Sequence, residues 1–454
     1  MGKIYSHTTA LCPECEAKIT ARIIEHENSI YMEKFCPEHG DSKVLISSDV
    51  SWYEKSLSYI KPSQEPLKKN VTEFKGCPDS CGFCPEHQQH TCLPIIEINS
   101  NCDMDCPVCL KDFKQDFQLS AEDFTGIIKN LFATEGSMDV INISGGEPTL
   151  HPQLTELITI AKQLGVEQIT VSTNGLTLLK DKKLRDFFRN NNVIAALQFD
   201  GFSPDTYKFI RGEDFAAKKM EMIKIFEEEG VSYSLVTTVV KGVNDSELTD
   251  ITNFFFNSKA LTIMFQPLAF TGSATNIDES KHRITTADIV SAVEQADNVE
   301  QGDINPLPCS HYSCFSLAYY FILENKRFLS MKKFFGEGQY LKIIENKTLP
   351  DLDKVDHNEI NTKIYDMWSD AGFCACSLSD DMLKKIRQIM VSINEDGLSK
   401  QSKMELGKQN MKAIYIHDFM DKYTMDFARL QRCCNPYAQA GDKLVPMCSQ
   451  NVFY

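Results

Sequence analysis

The chain has no apolar run of about 18 residues, so no segment reads as a membrane-spanning helix. Its first residues, MGKIYSHTTALCPEC, lack the apolar stretch of a secretory leader. Positive charge is also in short supply. Against 63 Asp and Glu stand 47 Lys and Arg, a formal net charge of −16. That balance disfavours general binding to nucleic acid or to an anionic membrane, although peripheral membrane contact through a local basic patch stays open. A disulfide framework is not expected either. The 17 cysteines are odd in number and grouped at short spacings, the pattern of metal ligation in a reducing cytoplasm.

At 454 residues the chain is long enough for several cores, and its cysteines mark where chemistry sits. Cys102, Cys106 and Cys109 form a C-x3-C-x2-C run (CDMDCPVC) directly after the strand-like Leu93 to Asn99 (LPIIEIN). Thirty-five residues separate Cys109 from Gly145-Gly146-Glu147-Pro148, which ends a second strand-like segment, Met138 to Ser144. Three thiolates hold three irons of a [4Fe-4S] cluster and leave the fourth open to a small molecule. A bare triad of this kind reads equally well as a structural zinc or an electron-transfer cluster; the flanking strands favour the open iron. Gly145 and Gly146 let backbone approach a ligand, and Glu147 offers a carboxylate to an ammonium group.

A second C-x3-C-x2-C lies at Cys77, Cys81 and Cys84 (CPDSCGFC). Cys92 follows closely enough to supply a fourth thiolate, so this group reads as an auxiliary [4Fe-4S] cluster or, alternatively, a four-cysteine zinc site. Further upstream, Cys12-Pro-Glu-Cys15 and Cys36-Pro-Glu-His39 are two knuckles that complete one tetrahedral site for zinc or a rubredoxin-type iron. The site is either a clip that folds a small domain or an electron relay and docking knob. Near the other end stand Cys309, Cys314 and Cys448, with Cys433 and Cys434 competing for a fourth place on one further cluster. Cys374 and Cys376 read as buried apolar thiols or as further ligands.

From Leu93 onward a regular alternation begins. Strands are expected at about 94–99, 139–144, 167–172, 194–200, 232–240 and 261–268, with helical segments starting near Ser120, His151, Leu176, Ser203, Asp245 and Thr285. Polar residues collect at the strand ends: Ser172 and Asn174, Gln198 and Asp200, Thr237 and Thr238, then Gln266.

Taken together, CPEC…CPEHG, CPDSCGFCPEH, CDMDCPVC, ISGGEPTLHP, PLPCSHYSC and RCC…VPMC resemble the radical S-adenosylmethionine (SAM) superfamily. Within it, they are similar to the group of archaeal tetraether lipid synthase and pterin-methyltransferase-like enzymes. The resemblance implies an α/β fold, a partial (β/α)6 TIM-type barrel, with SAM on the open iron cleaved to a 5′-deoxyadenosyl radical. It implies SAM contacts at Ser144, Gly145, Gly146, Glu147, Ser172, Asn174, Gln198 and Asp200, and three [4Fe-4S] clusters beside one mononuclear zinc or iron. A ferredoxin- or flavodoxin-type electron donor follows.

The domains expected are a metal knuckle at 1–60, a linker and auxiliary-cluster segment at 61–92, the barrel at 93–300, and a C-terminal cluster domain at 301–454. The first functional expectation is the joining or modification of lipid alkyl chains, reached through an apolar tunnel above SAM. The alternatives are methyl or methylene transfer to a pterin-like small molecule, or peptide modification by a maturase.

Overall fold

The computed structural model describes residues 2–60, 62–71, 76–77, 80–113, 115–308, 310–323, 326–347, 349–351, 384–389 and 399–453. Cys309, Cys374 and Cys376 lie outside the described residues.

The N-terminal segment folds into an antiparallel meander, β1 (Ile4–Leu11), β2 (Lys18–His26), β3 (Ser29–Cys36) and β4 (Gly40–Ser47). Along β2 and β3 every second residue turns inward: Ile19, Ala21 and Ile23, then Ile30, Met32, Lys34 and Cys36. The resulting core is small, built on Ala10, Ala21, Ile23, Ile30, Met32, Val44 and Tyr53. A core of that size stabilises a domain only marginally, which is where a metal clip contributes most. Lys34 is buried yet tied, its ammonium donating to Leu11 O at 3.0 Å and to the distant Tyr423 carbonyl. The meander is thereby fastened to the C-terminal part of the chain.

The expected alternation after Leu93 forms six parallel strands, β5 (Ile95–Glu97), β6 (Val140–Ser144), β7 (Gln168–Thr173), β8 (Val193–Gln198), β9 (Tyr233–Val239) and β10 (Thr262–Pro267), paired in that order. Helices sit between them. Ser120 caps Ala121–Glu135, Ser203 caps Pro204–Arg211, and Thr285 with Asp288 forms a capping box on Thr286–Val293. This is the partial (β/α)6 barrel.

Period-two alternation divides the barrel strands into two faces. Ile141, Ile143, Ile169, Val171, Ala195, Leu197, Leu235, Ile263 and Phe265 are buried in one continuous core with the helices. The opposite positions stay partly open, and they are Asn142 and Ser144, Thr170 and Ser172, Ala196 and Gln198, Val236 and Thr238, Thr262, Met264 and Gln266. Those side chains find one another across the strands. Asn142 Nδ2 donates to Ser172 Oγ at 3.0 Å, Thr170 Oγ1 to Asn142 Oδ1 at 3.0 Å, and Thr262 Oγ1 to Ser234 Oγ at 2.8 Å. The inner face of the barrel is mostly polar, with Ala196, Val236 and Met264 as its apolar members.

Six strands leave two raw edges, and later segments cover both. After β11 (Asn305–Pro306), β12 (Phe315–Ile322) and β13 (Phe328–Ser330) comes β14 (Met411–His417), which pairs parallel with β10. β12 then pairs antiparallel with β14. On the other edge, β15 (Pro436–Gln439) pairs parallel with β5 through Tyr437 and Ile95, and β16 (Lys443–Pro446) returns beside it. The consequence is positional: the cysteines of the last segment are delivered next to those that precede the first barrel strand. No helix among the described residues is long and apolar enough to cross a membrane.

Lys412, at the start of β14, is buried and donates to Phe255 O, Ser258 O and Ala260 O at 2.9, 3.0 and 2.6 Å. It thus closes the carbonyl end of helix Leu248–Asn257. Replacing Lys412 by Met keeps the stem but strands these acceptors, so the expected loss is about 1–3 kcal/mol. A lowered denaturant midpoint with unchanged metal content is the readout.

Candidate active site and metal centres

The loop carrying Cys102, Cys106 and Cys109 leaves β5 and is clamped between two glycine turns. Gly146 N donates to Asn99 O at 2.8 Å, Glu147 N to Asn101 O at 2.6 Å, and Asn99 Nδ2 returns a bond to Glu147 O at 3.0 Å. A Cβ on Gly146 would overlap the carbonyl oxygens of Ser100 and Asn101, and one on Gly145 would overlap Asn99. So these glycines, expected to admit a ligand, first of all admit the loop itself. From the far side, Ser273 N donates to Cys109 O at 3.0 Å, and a Cβ on Gly272 would overlap the Cys109 and Leu110 carbonyls. Within the loop Cys109 N donates to Cys106 O at 3.1 Å.

The Glu147 carboxylate was expected to face a ligand amine. It is buried instead and held from within the chain, Oε1 accepting from Thr149 N and Oγ1 at 3.1 and 2.6 Å and Thr173 Oγ1 at 2.8 Å, and Oε2 from Asn174 N at 2.7 Å. Burial pushes its carboxyl up. Its visible work is to join the end of β6 to the end of β7. Asn174 in turn reaches the cluster loop, its Nδ2 donating to Asp103 Oδ1 at 2.6 Å. Ser144 and Ser172 lie on the polar inner face, and Gln198 beside them accepts from Lys219 Nζ at 3.2 Å.

Asp200 is fully buried and paired. Arg211 grips it with Nε to Oδ2 at 2.7 Å and Nη2 to Oδ1 at 2.8 Å, while Thr238 N donates to Oδ1 at 3.0 Å. Arg211 also lies near enough to Cys106 for the two groups to interact electrostatically. Next to it, Lys219 is completely buried, donating to Asn174 O at 2.6 Å. Burial pushes its ammonium down to about 8, partly offset by Asp200. Two buried cations beside a triad of thiols suit a site that gathers negative charge. Neither was anticipated, yet a signal existed. Lys219, Met222, Ile223 and Phe226 are the buried residues of one helix, so a lysine occupies an apolar-stripe position; Arg211 does the same beside Tyr207 and Ile210.

The four N-terminal ligands come together as expected. Cys12, Cys15, Cys36 and His39 have donor atoms all within 4.8 Å of one another. Individual separations are 3.6 Å for Cys12 to His39 and Cys36 to His39, and 3.9 Å for Cys15 to Cys36. A single ion with bonds of about 2.3 Å to sulfur sets tetrahedral edges of about 3.6–3.8 Å. Donor set and spacing fit one zinc.

Among the described residues no other His, Cys, Asp and Glu group is that compact. Cys77, Cys81 and Cys84 lie close enough to feel one another's charge. Cys314, Cys433, Cys434 and Cys448 line one small cavity with His417 and Arg429. There Arg429 Nε donates to Cys314 Sγ at 3.0 Å, Met420 N donates to Cys448 Sγ at 3.2 Å, and burial pushes the Cys448 thiol up to about 12. Cys92 stands at the junction of the two groups, its N–H donating to Cys434 O at 2.8 Å.

Beyond Cys109 opens a cavity of about 690 Å³, walled by the loop after the cluster cysteines, the end of β5, β15 and the last helix, Met447–Phe453. Its walls are mixed. Phe113, Phe117 and Val452 alternate with Glu97, Lys111, Gln439 and Asn451, so this is not the apolar tunnel that was expected.

A model of the Radical SAM superfamily matches residues 73–255, and one of the HMPTM N-terminal zinc ribbon domain matches residues 4–48. The chain is 28% identical to a 7,8-dihydro-6-hydroxymethylpterin dimethyltransferase of Methanocaldococcus jannaschii, across 98% of this chain and 93% of that protein. It is 27% identical to a probable GTP 3′,8-cyclase of Methanothermobacter marburgensis, across 45% of this chain and 67% of that one. Among solved structures, Streptococcus suis SuiB bound to S-adenosylmethionine aligns at a TM-score of 0.39 with 17% identity, over 45% of this chain and 47% of its own. The hydrogenase maturase HydG from Carboxydothermus hydrogenoformans aligns at 0.38 with 15% identity, over 45% and 51%.

Two outcomes follow from this geometry. Cys36→Ala should remove about one zinc per chain and leave the iron content unchanged. Gly146→Ala should displace the cluster loop from its seat and lower the iron content by about four per chain, measured after anaerobic reconstitution.

Proposed function

We propose, for a chain that belongs to the Radical SAM superfamily and carries an N-terminal zinc ribbon, that its reaction is methyl or methylene transfer to a pterin-type small molecule. The observation that carries this reading is similarity from end to end. A pterin dimethyltransferase aligns with 98% of the chain, whereas the cyclase matches stop at under half of it.

Cys102, Cys106 and Cys109 are the ligands we assign to the cluster that binds SAM. They fit it: three thiols on one clamped loop, with Arg211 at Cys106 and no fourth cysteine in that loop. When bound, cluster and SAM together supply a one-electron cleavage that makes a hydrogen-abstracting radical. The chain's own part is to hold and orient. Asn174 and Asp103 steady the loop, Lys219 and Arg211 place positive charge beneath it, and Ser172 and Gln198 offer hydrogen bonds from the inner face. Ser144 to Glu147 and Asp200 frame the same space. Cys77, Cys81 and Cys84 with Cys92, and Cys309, Cys314 and Cys448 with either Cys433 or Cys434, are assigned to two auxiliary [4Fe-4S] clusters fed by a small electron carrier.

The polar inner face favours a heterocycle over an alkyl chain. Asn142, Thr170 and Ser172 hydrogen-bond one another and Gln198 accepts from Lys219, a polar lining that a heterocycle can extend with its own donors and acceptors and an alkyl chain cannot. Lipid-chain joining draws no comparable support. The test is to express the full chain, then extract pterins and lipids. Cells with the intact chain should contain pterins heavier by one or two methyl groups, and cells with Cys102→Ala should not. A pterin pool unchanged beside an altered lipid pool would sink the proposal.

A further inference from the structure

Three carboxylates stand around the barrel mouth, and the two buried ones, Glu147 and Asp200, are each held by several hydrogen bonds. Glu147 accepts four hydrogen bonds, and Asp200 accepts two from Arg211 and one from Thr238 N. Glu97 is different. Its side chain is 14% exposed, it lines the 690 Å³ cavity, and the donor it meets is Lys111 Nζ, 3.0 Å from Oε1. An ionised carboxylate accepts at about four lone-pair sites, so most of the acceptor capacity of Glu97 faces open space. Lys111 is also only partly used: its ammonium lies 3.8 Å from the centre of the Tyr437 ring and keeps donors to spare.

Resting on the pterin reading above, we infer that Glu97 and Lys111 are the specificity pair that reads the aminopyrimidinone edge of the heterocycle. That edge presents two adjacent N–H donors, the exocyclic amine and the neighbouring ring nitrogen, followed by a carbonyl oxygen. Glu97 accepts the two donors and Lys111 donates to the carbonyl. Charge-assisted, paired hydrogen bonds of this kind are stronger and more directional than neutral ones. The flat ring meets aromatic walls, since Tyr437 lines the cavity with Phe113 and Phe117, whose centroids are 5.7 Å apart edge to face.

Placement agrees with this use. Glu97 pairs in register with Ser144, immediately before the glycine turn, and Lys111 follows Cys109 by two residues. A ring held by this pair therefore lies beside the loop of the cluster cysteines. Other classes fit less well. An alkyl chain would strip water from an ion pair and return no hydrogen bond, and a phosphate would meet the Glu97 charge.

The test uses the full chain, reconstituted anaerobically, and equilibrium binding of 7,8-dihydro-6-hydroxymethylpterin and of its 2-oxo analogue, in which a carbonyl replaces the exocyclic amine. The intact chain should prefer the pterin. Glu97→Gln should weaken pterin binding by about 10- to 100-fold and narrow or reverse the preference, because a carboxamide can donate to the new carbonyl. The double variant Glu97→Gln, Lys111→Gln leaves no buried lone charge and should lose the preference as well, with zinc and iron content showing that both variants fold. Pterin binding by Glu97→Gln at the strength of the intact chain overturns the inference and leaves the pterin reading standing. If the intact chain binds neither ring and its cells contain no methylated pterin, the two fall together.

Discussion

Two stretches of backbone, Asn99–Asn101 and Gly145–Glu147, lie against each other with no room for a side chain between them. Everything else at the site is arranged around this contact. It holds the start of the cysteine loop against the end of the second barrel strand, and Gly272 closes on the loop from the opposite side. Glu147 then carries the constraint onward, because its carboxylate binds Thr173 and the Asn174 amide. The Asn174 side chain brings it back to the loop through Asp103. A closed circuit of this kind keeps three thiols at a set spacing before any iron arrives, which lowers the ordering cost of binding.

Charge follows the same plan. The chain is acidic overall, but at the loop the nearest buried ionisable groups include Arg211 and Lys219. Removing cations from water is unfavourable unless partners compensate. Arg211 is paired directly with Asp200, whereas Lys219 hydrogen-bonds a backbone carbonyl and the Gln198 amide oxygen and feels Asp200 only at a distance. A lysine left in that state has a ready role in balancing bound negative charge.

The outer parts of the fold serve the same mouth from two directions. β14 extends the sheet from β10 and β15 extends it from β5, so both edges of an incomplete barrel are covered by one C-terminal segment. That arrangement sets Cys434 against Cys92 and brings Tyr437, with the last helix, to the cavity wall. The zinc ribbon is linked in through Lys34 and through Thr8, whose hydroxyl donates to Asp426 at 2.6 Å.

Period and spacing were enough to read the barrel. The six strands fall where alternating apolar residues put them, and the capping residues Ser120, Ser203 and Thr285 mark real helix starts, because these signals act over one or two turns of chain. The knuckles at Cys12 and Cys36 were legible for the same reason: a tight turn fixes two ligands locally. What local pattern could not decide was which polar group faces a ligand and which faces the protein. Glu147 looked free and is held by four hydrogen bonds from its own chain; Glu97 looked like part of an apolar strand and lines the cavity. Half of the hydrogen bonds to the Glu147 carboxylate come from Thr173 and Asn174, 26 and 27 residues away, and the burial of Lys219 and Arg211 depends on helices packing over a sheet. Only the tertiary structure brings those partners into range, and hydrogen bonds form or fail within a few tenths of an ångström.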